Sequence, residues 1–387
     1  MTTARVQLPD GRAIIAMDGV HLFEPGERLR SVVLETGVGG AVAYHRSRPL
    51  FQGVRTTALS VPASTWTAVP LDSELIDTHD GHGDTTNTSR YVPPFTGSAS
   101  DWYLVNGHVP FGGANGGVRI AGVRLNGGTV AEGMKITGTT AHAATTQVID
   151  LVEIDLSNDY LELMAYQTTA GALNTVFNGK LPTFTARWAC GSGNVVAHPG
   201  TPRTWTAADL ISADDTTGGR IPLNVHIGDL IHWLNYPPIA RITSQGTAQT
   251  IPSGSGTWTS INMPGETVDN YAGHNPVSNN SRYVCQRAGL YFVAGLVAVG
   301  ETAANVGYRA ARLLHTIAAG GTAIYQGGSS IPAATSTSGT ALYASGWVRM
   351  AVGDYVEVQM QHTQGAALSV RTGAGDCAKL IAVWRKS

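Results

Sequence analysis

Charge is the scarcest property of this 387-residue chain. Asp, Glu, Lys and Arg supply 13% of it, about half the usual share. The 25 basic and 27 acidic residues nearly cancel, and no basic block occurs. Binding through nucleic-acid phosphates or an anionic membrane surface is therefore disfavoured. Cysteine is almost as rare. Cys190, Cys285 and Cys377 are odd in number and lack paired spacing, which excludes a disulfide framework and a zinc motif. They read as small buried hydrophobes in a chain folded under reducing conditions. No apolar run approaches the roughly 18 residues of a membrane span. Met1-Thr2-Thr3-Ala4-Arg5-Val6 has no apolar signal core. The expectation is synthesis in the cytoplasm without membrane insertion, any exported location being reached by assembly or lysis.

What is present is apolar content (43%), 47 glycines and a repeat. Low charge therefore does not mean disorder; the composition suits β-sandwiches with many turns. Thr65-Trp66-Thr67, Asp77, Gly81-His82 and Ser89-Arg90-Tyr91-Val92 return as Thr257-Trp258-Thr259, Asp269, Gly273-His274 and Ser281-Arg282-Tyr283-Val284. One offset, 192, serves them all. The chain reads as a tandem duplication. Trp102-Tyr103 answers Leu290-Tyr291, Asp159-Tyr160-Leu161-Glu162 answers Asp354-Tyr355-Val356-Glu357, and Trp188 answers Trp384, with drift absorbed in Gly-rich loops.

The divisions follow: an N-terminal anchoring module over 1–58, a first sandwich over 59–190, a linker over 191–250 and a second sandwich over 251–387. Arg5–Leu8 and Ala13–Met17 suit strands around the turn signal Pro9-Asp10-Gly11. In the linker, Ile227, Leu230, Ile231 and Leu234 form one stripe of a short amphipathic helix, between Pro222 and Pro237-Pro238. Along Tyr355–Gln361, Val356, Val358 and Met360 point into a core. Tyr355, Glu357 and Gln359 point out, to a subunit interface or to solvent. With Tyr103, Tyr160 and Tyr291 they are the candidate trimer-interface residues.

Gly289-Leu290-Tyr291-Phe292-Val293, Arg309-Ala310-Ala311-Arg312-Leu313 and Gly353-Asp354-Tyr355-Val356-Glu357-Val358-Gln359 together resemble the C1q/TNF-like jelly roll. The likeness covers about the last 130 residues well and the first copy more loosely, since Ser100-Asp101-Trp102-Tyr103 replaces the Gly-Leu-Tyr start. Arg203-Thr204-Trp205, the helix stripe and Asn235-Tyr236-Pro237-Pro238, followed by an Arg-bearing strand at Ile239-Ala240-Arg241, are similar to the lead-in of virion proteins of tailed actinobacteriophages. The resemblance implies an all-β fold of two tandem jelly rolls, each burying one face in a two-tiered homotrimer. It also implies a place in the virion, as a minor tail protein or fibre contacting a host surface glycan or protein. The N-terminal module would then dock on other virion proteins. The alternatives are a head fibre or capsid decoration protein, and a soluble carbohydrate-binding module or hydrolase.

No catalytic set or cofactor site is expected. Asp77, His79, Asp80, His82 and Asp84 form the densest group of potential ligands, but the second copy keeps only Asp269 and His274, so no metal is expected. Asn87-Thr88-Ser89 and Asn279-Asn280-Ser281 match a glycosylation sequon through the repeat alone. His226 and His232, six apart, do not share a helix face. No nucleophile elbow occurs.

Overall fold

A computed structural model describes residues 3–7, 13–17, 20–21, 48–94, 100–114, 116–138, 144–176, 179–191, 236–300, 306–319, 321, 323–332 and 339–386. The chain divides into two units, Met1–Ser47 with Pro199–Asn235, and Arg48–His198 with Tyr236–Ser387. The described part of the first is an antiparallel sheet of β1 (Thr3–Gln7), β2 (Ala13–Met17) and β3 (Val20–His21). Val6 pairs with Ile14 and Thr3 with Met17. The stripe Ile227, Leu230, Ile231 and Leu234 lies outside the described residues.

The second unit holds both sandwiches. The first contains β4 (Leu50–Val54), β5 (Ser60–Val61), β6 (Thr67–Ala68), β7 (Ser73–Asp77), β8 (Arg90–Tyr91), β9 (Asp101–Phe111), β10 (Gly116–Leu125), β11 (Gly128–Gly138), β12 (Ala144–Ile154), β13 (Leu161–Gln167), β14 (Leu173–Asn174) and β15 (Thr183–Gly191). The second contains β16 (Ile239–Thr243), β17 (Thr250–Ile251), β18 (Thr259–Ser260), β19 (Gly265–Asp269), β20 (Arg282–Val284), β21 (Gly289–Gly300), β22 (Tyr308–Thr316), β23 (Ala323–Pro332), β24 (Thr340–Met350), β25 (Tyr355–His362), β26 (Leu368–Val370) and β27 (Lys379–Lys386).

One sheet of the first sandwich runs β12-β9-β15-β4-β7, and its facing sheet runs β11-β10-β13 with β6 and β8 beside β13. The second sandwich repeats this strand for strand as β24-β21-β27-β16-β19 against β23-β22-β25 with β18 and β20. First and last strands pair (β4 with β15, β16 with β27), giving the jelly-roll winding of an antiparallel two-sheet fold. The strands β4 and β16 precede residues 59 and 251, so each sandwich begins earlier than the sequence divisions placed it.

Alternation builds each core. Val356, Val358 and Met360 are fully buried on β25, as are Leu161 and Leu163 on β13. Each such side chain contributes about 1.5–3 kcal/mol of transfer free energy. The sheets approach closely at Gly107 and Gly295, which occupy the same position in the two copies. A Cβ there would stand 2.4 Å from Leu163 Cδ1 or 2.6 Å from Val358 Cβ.

Candidate functional site

The repeated motif resolves into a folding device. Asp77 Oδ2 accepts the His82 amide at 3.0 Å and Oδ1 accepts the His79 amide at 3.1 Å. Asp269 does the same for His274 (2.7 Å) and Tyr271 (3.3 Å). Both histidines face acceptors with both ring nitrogens. His82 meets Glu74 at 2.6 Å and the Thr88 carbonyl at 2.9 Å, and His274 meets Glu266 at 3.2 Å and the Asn280 carbonyl at 3.3 Å. Burial raises the Asp269 carboxyl to about 6 against these amide bonds. Gly81 and Gly273 are required because a Cβ would sit 2.4 Å from the Val92 or Val284 carbonyl oxygen. Asn87 and Asn279, at φ 52° and 53°, occupy the left-handed region that asparagine tolerates. Their sequon reading gives way to a turn requirement.

The rest of the motif clamps the loop to the sheet. Tyr91 and Tyr283 are fully buried. Arg90 and Arg282 lie over the rings of Tyr160 and Tyr355 at 4.0 and 4.3 Å. Ser89 donates to Glu162 at 2.7 Å, and Ser281 donates to Glu357. Glu74, His82 and Asp84 each bring one donor atom within 4.8 Å of the others. With both His82 nitrogens engaged and Pro276 at the Asp84 position of the second copy, the grouping reads as a loop brace rather than a metal site.

A neighbouring clamp gives a pH prediction. Burial pushes the Asp72 carboxyl up, but bonds from the amides and hydroxyls of Thr56 and Thr57 outweigh it and bring it to about 2. A depressed carboxylate stabilises above its unfolded value of 3.8, and that contribution disappears as pH falls through about 2. Asp72→Asn is expected to flatten the melting temperature profile between those two values. The effect is small because the group lies at the surface, where solvent screens it.

The largest feature outside the two cores is the contact between the sandwiches. Trp102, Ile149, Leu151, Ala189 and Cys190 of the first pack with Ile239, Leu296, Tyr343, Ile381 and Val383 of the second in one buried apolar cluster. Asp150, 1% exposed, lies across the contact. Its carboxylate accepts Arg241 Nε at 2.6 Å, Arg241 Nη2 at 3.1 Å and Lys379 Nζ at 2.7 Å. Burial opposes ionisation, but Lys379 and then Arg241 hold the carboxyl below its ordinary value. The Tyr343 hydroxyl donates to the Ile149 carbonyl (2.9 Å) and accepts the Ile149 amide (3.0 Å). The sheets also meet edge to edge at Lys135 and Ala341.

This contact alters the interface expectations. Tyr103 and Tyr291 are fully buried inside their own sandwiches, donating to the Pro94 and Arg287 carbonyls, so they do not face a neighbouring chain. They lie on the core-facing parity of β9 and β21. Tyr160, Tyr355, Glu357 and Gln359 lie on the opposite sheet from the sandwich contact, and Gln359 accepts Arg312 Nε at 2.8 Å. Nor do the two sandwiches keep equivalent faces for other chains: the part of the outward face of β21, β24 and β27 around Leu296, Tyr343 and Ile381 is covered by the first sandwich of the same chain. Sequence reasoning missed this face. Its signal was apolar residues on both parities of β21 and β24, the mark of strands buried on two sides.

Neither a family model nor a curated protein matches this chain. Similar solved structures include the globular domain of a zebrafish complement 1qA protein, at 13% identity and TM-score 0.26, covering 39% of this chain and 99% of that one. Murine APRIL aligns at 9% identity and TM-score 0.28, covering 38% of this chain and 98% of that one.

Proposed function

We propose that the chain is a self-assembling, non-enzymatic structural protein of a tailed-phage particle, a trimeric minor tail protein or fibre that contacts the host surface. The observation that carries the self-assembly is the sandwich contact: a jelly-roll sheet face in this chain is built to receive another jelly roll, with an apolar seat and an ion group whose Asp150 and Lys379 are buried. Phage origin draws on the likeness of Arg203-Thr204-Trp205 and Asn235-Tyr236-Pro237-Pro238 to virion lead-ins. The N-terminal unit attaches to neighbouring virion proteins and the sandwiches project. Because β4 belongs to the first sandwich, a truncation testing attachment ends at Ser47 and leaves residues 48–58 in place. A density map of the whole particle tests the assignment. Trimeric density at the tail tip is expected. Density on the capsid shell turns the reading to a decoration protein, and absence from the particle overturns it.

A further inference from the structure

The sandwich contact joins unlike surfaces. On the same strand of the fold, the first sandwich uses Ile149 and Leu151 of β12, whereas the second uses Ala341 and Tyr343 of β24. By register, Ile149 and Leu151 correspond to Ser345 and Trp347, further along β24. The first sandwich therefore supplies a wedge and the second a seat. A head-to-tail contact of this kind leaves one wedge and one seat unfilled, and such contacts close into rings or run on as filaments.

The unfilled wedge is visible. Leu151 is 3% exposed within the contact, whereas its counterpart Trp347 is 51% exposed, its ring against Phe292 at 5.3 Å. The unfilled seat is the part of the outward face of β4, β9 and β15 beyond Trp102, Ala189 and Cys190, which the existing contact buries. Its Asn106 and His108 occupy the positions of Ala294 and Leu296, and Gln147 bonds to both at 3.2 and 3.3 Å. At the Asp150 position charge matches within each pair, while Arg385 lies over Trp347 at 5.6 Å and Arg187 stands at the Val383 position of the unfilled seat. Where the filled wedge carries Asp150, the filled seat carries Arg241 and Lys379. Where the unfilled wedge has Gly346 in place of the acid, the unfilled seat has Gln52 and Thr183 in place of the two bases. Either mixed pairing would bury an acid without a base or two bases without an acid.

We infer that the Trp347 wedge of the second sandwich docks on the sheet face of the first sandwich, around Gln52, Gln147 and Thr183, in a second copy of this chain. The inference rests on the self-assembly reading and specifies its contact. Repeated from chain to chain, it joins copies head to tail, with first and second sandwiches alternating.

Two full-length variants test it, Trp347→Cys and Thr183→Cys, mixed and treated with a short bis-maleimide. The native cysteines are buried, so background reaction is low. A mixed cross-linked dimer, mapped by mass spectrometry to positions 347 and 183, is the expected result. Linkage of Trp347→Cys to itself would indicate a symmetric contact and overturn the inference. Separately, Trp347→Glu is expected to weaken assembly by about 30-fold, the loss from truncating a strong hot spot. A wild-type oligomer that Trp347→Glu leaves intact, with no mixed cross-link, overturns this contact while self-assembly stands. A wild-type chain that never associates overturns both.

Discussion

Asp150→Ala is expected to destabilise the contact between the two sandwiches by about 3–5 kcal/mol, the cost of stripping the partner from buried charges. Lys379 is fully buried and loses its acceptor at 2.7 Å, while Arg241 loses two bonds. The readout is the reactivity of Cys190, 1% exposed at the same contact, against that of Cys285 inside the second core. In the variant, Cys190 becomes alkylated well before Cys285. Equal protection of both thiols in wild type and variant would show that Asp150 does not hold the sandwiches together. Acid should act in the same direction. A carboxylate depressed by its partners stabilises above its ordinary value, and the contact loosens as pH falls through the lowered one. Replacing Asp150, Arg241 and Lys379 together by apolar residues should recover much of the loss, since an apolar group often equals a buried ion pair.

The second large effect concerns a close approach of the sheets that both copies share. Gly295→Ala should cost about 3 kcal/mol and Gly107→Ala about 1 kcal/mol, opposite ends of the range for overpacked cores. The difference lies in the neighbour. At Gly295 the new methyl meets Val358 Cβ and Cγ2, both at 2.6 Å, on a β-branched side chain with one favoured rotamer. At Gly107 it meets the Cδ1 end of Leu163 at 2.4 Å, which can rotate away. Thermal unfolding of the two variants checks this, and equal losses would contradict it.

Much of the fold was legible because it is written twice. Constant spacing located equivalent loops, and alternation in Leu161–Met164 and Val356–Met360 identified core faces. The strand β4 was not legible, because five residues carry little periodicity and its partner, β15, lies more than a hundred residues away. Tyr103 and Tyr291 were misplaced for a related reason: tyrosine suits an interface and a core alike, and only strand parity decides between them. The sandwich contact was hidden more thoroughly. Asp150, Arg241 and Lys379 are dispersed in sequence and meet only when both sandwiches have formed. Loop residues such as Asp77 and His82 attracted attention as ligands, yet their partners are mostly local backbone groups.

On the proposed reading, this chain assembles through jelly-roll sheet faces. Light scattering on the purified full-length chain at micromolar concentration tests it most directly. The expected mass is about three times the 40.5 kDa of one chain. A stable mass of one chain at that concentration would contradict the account.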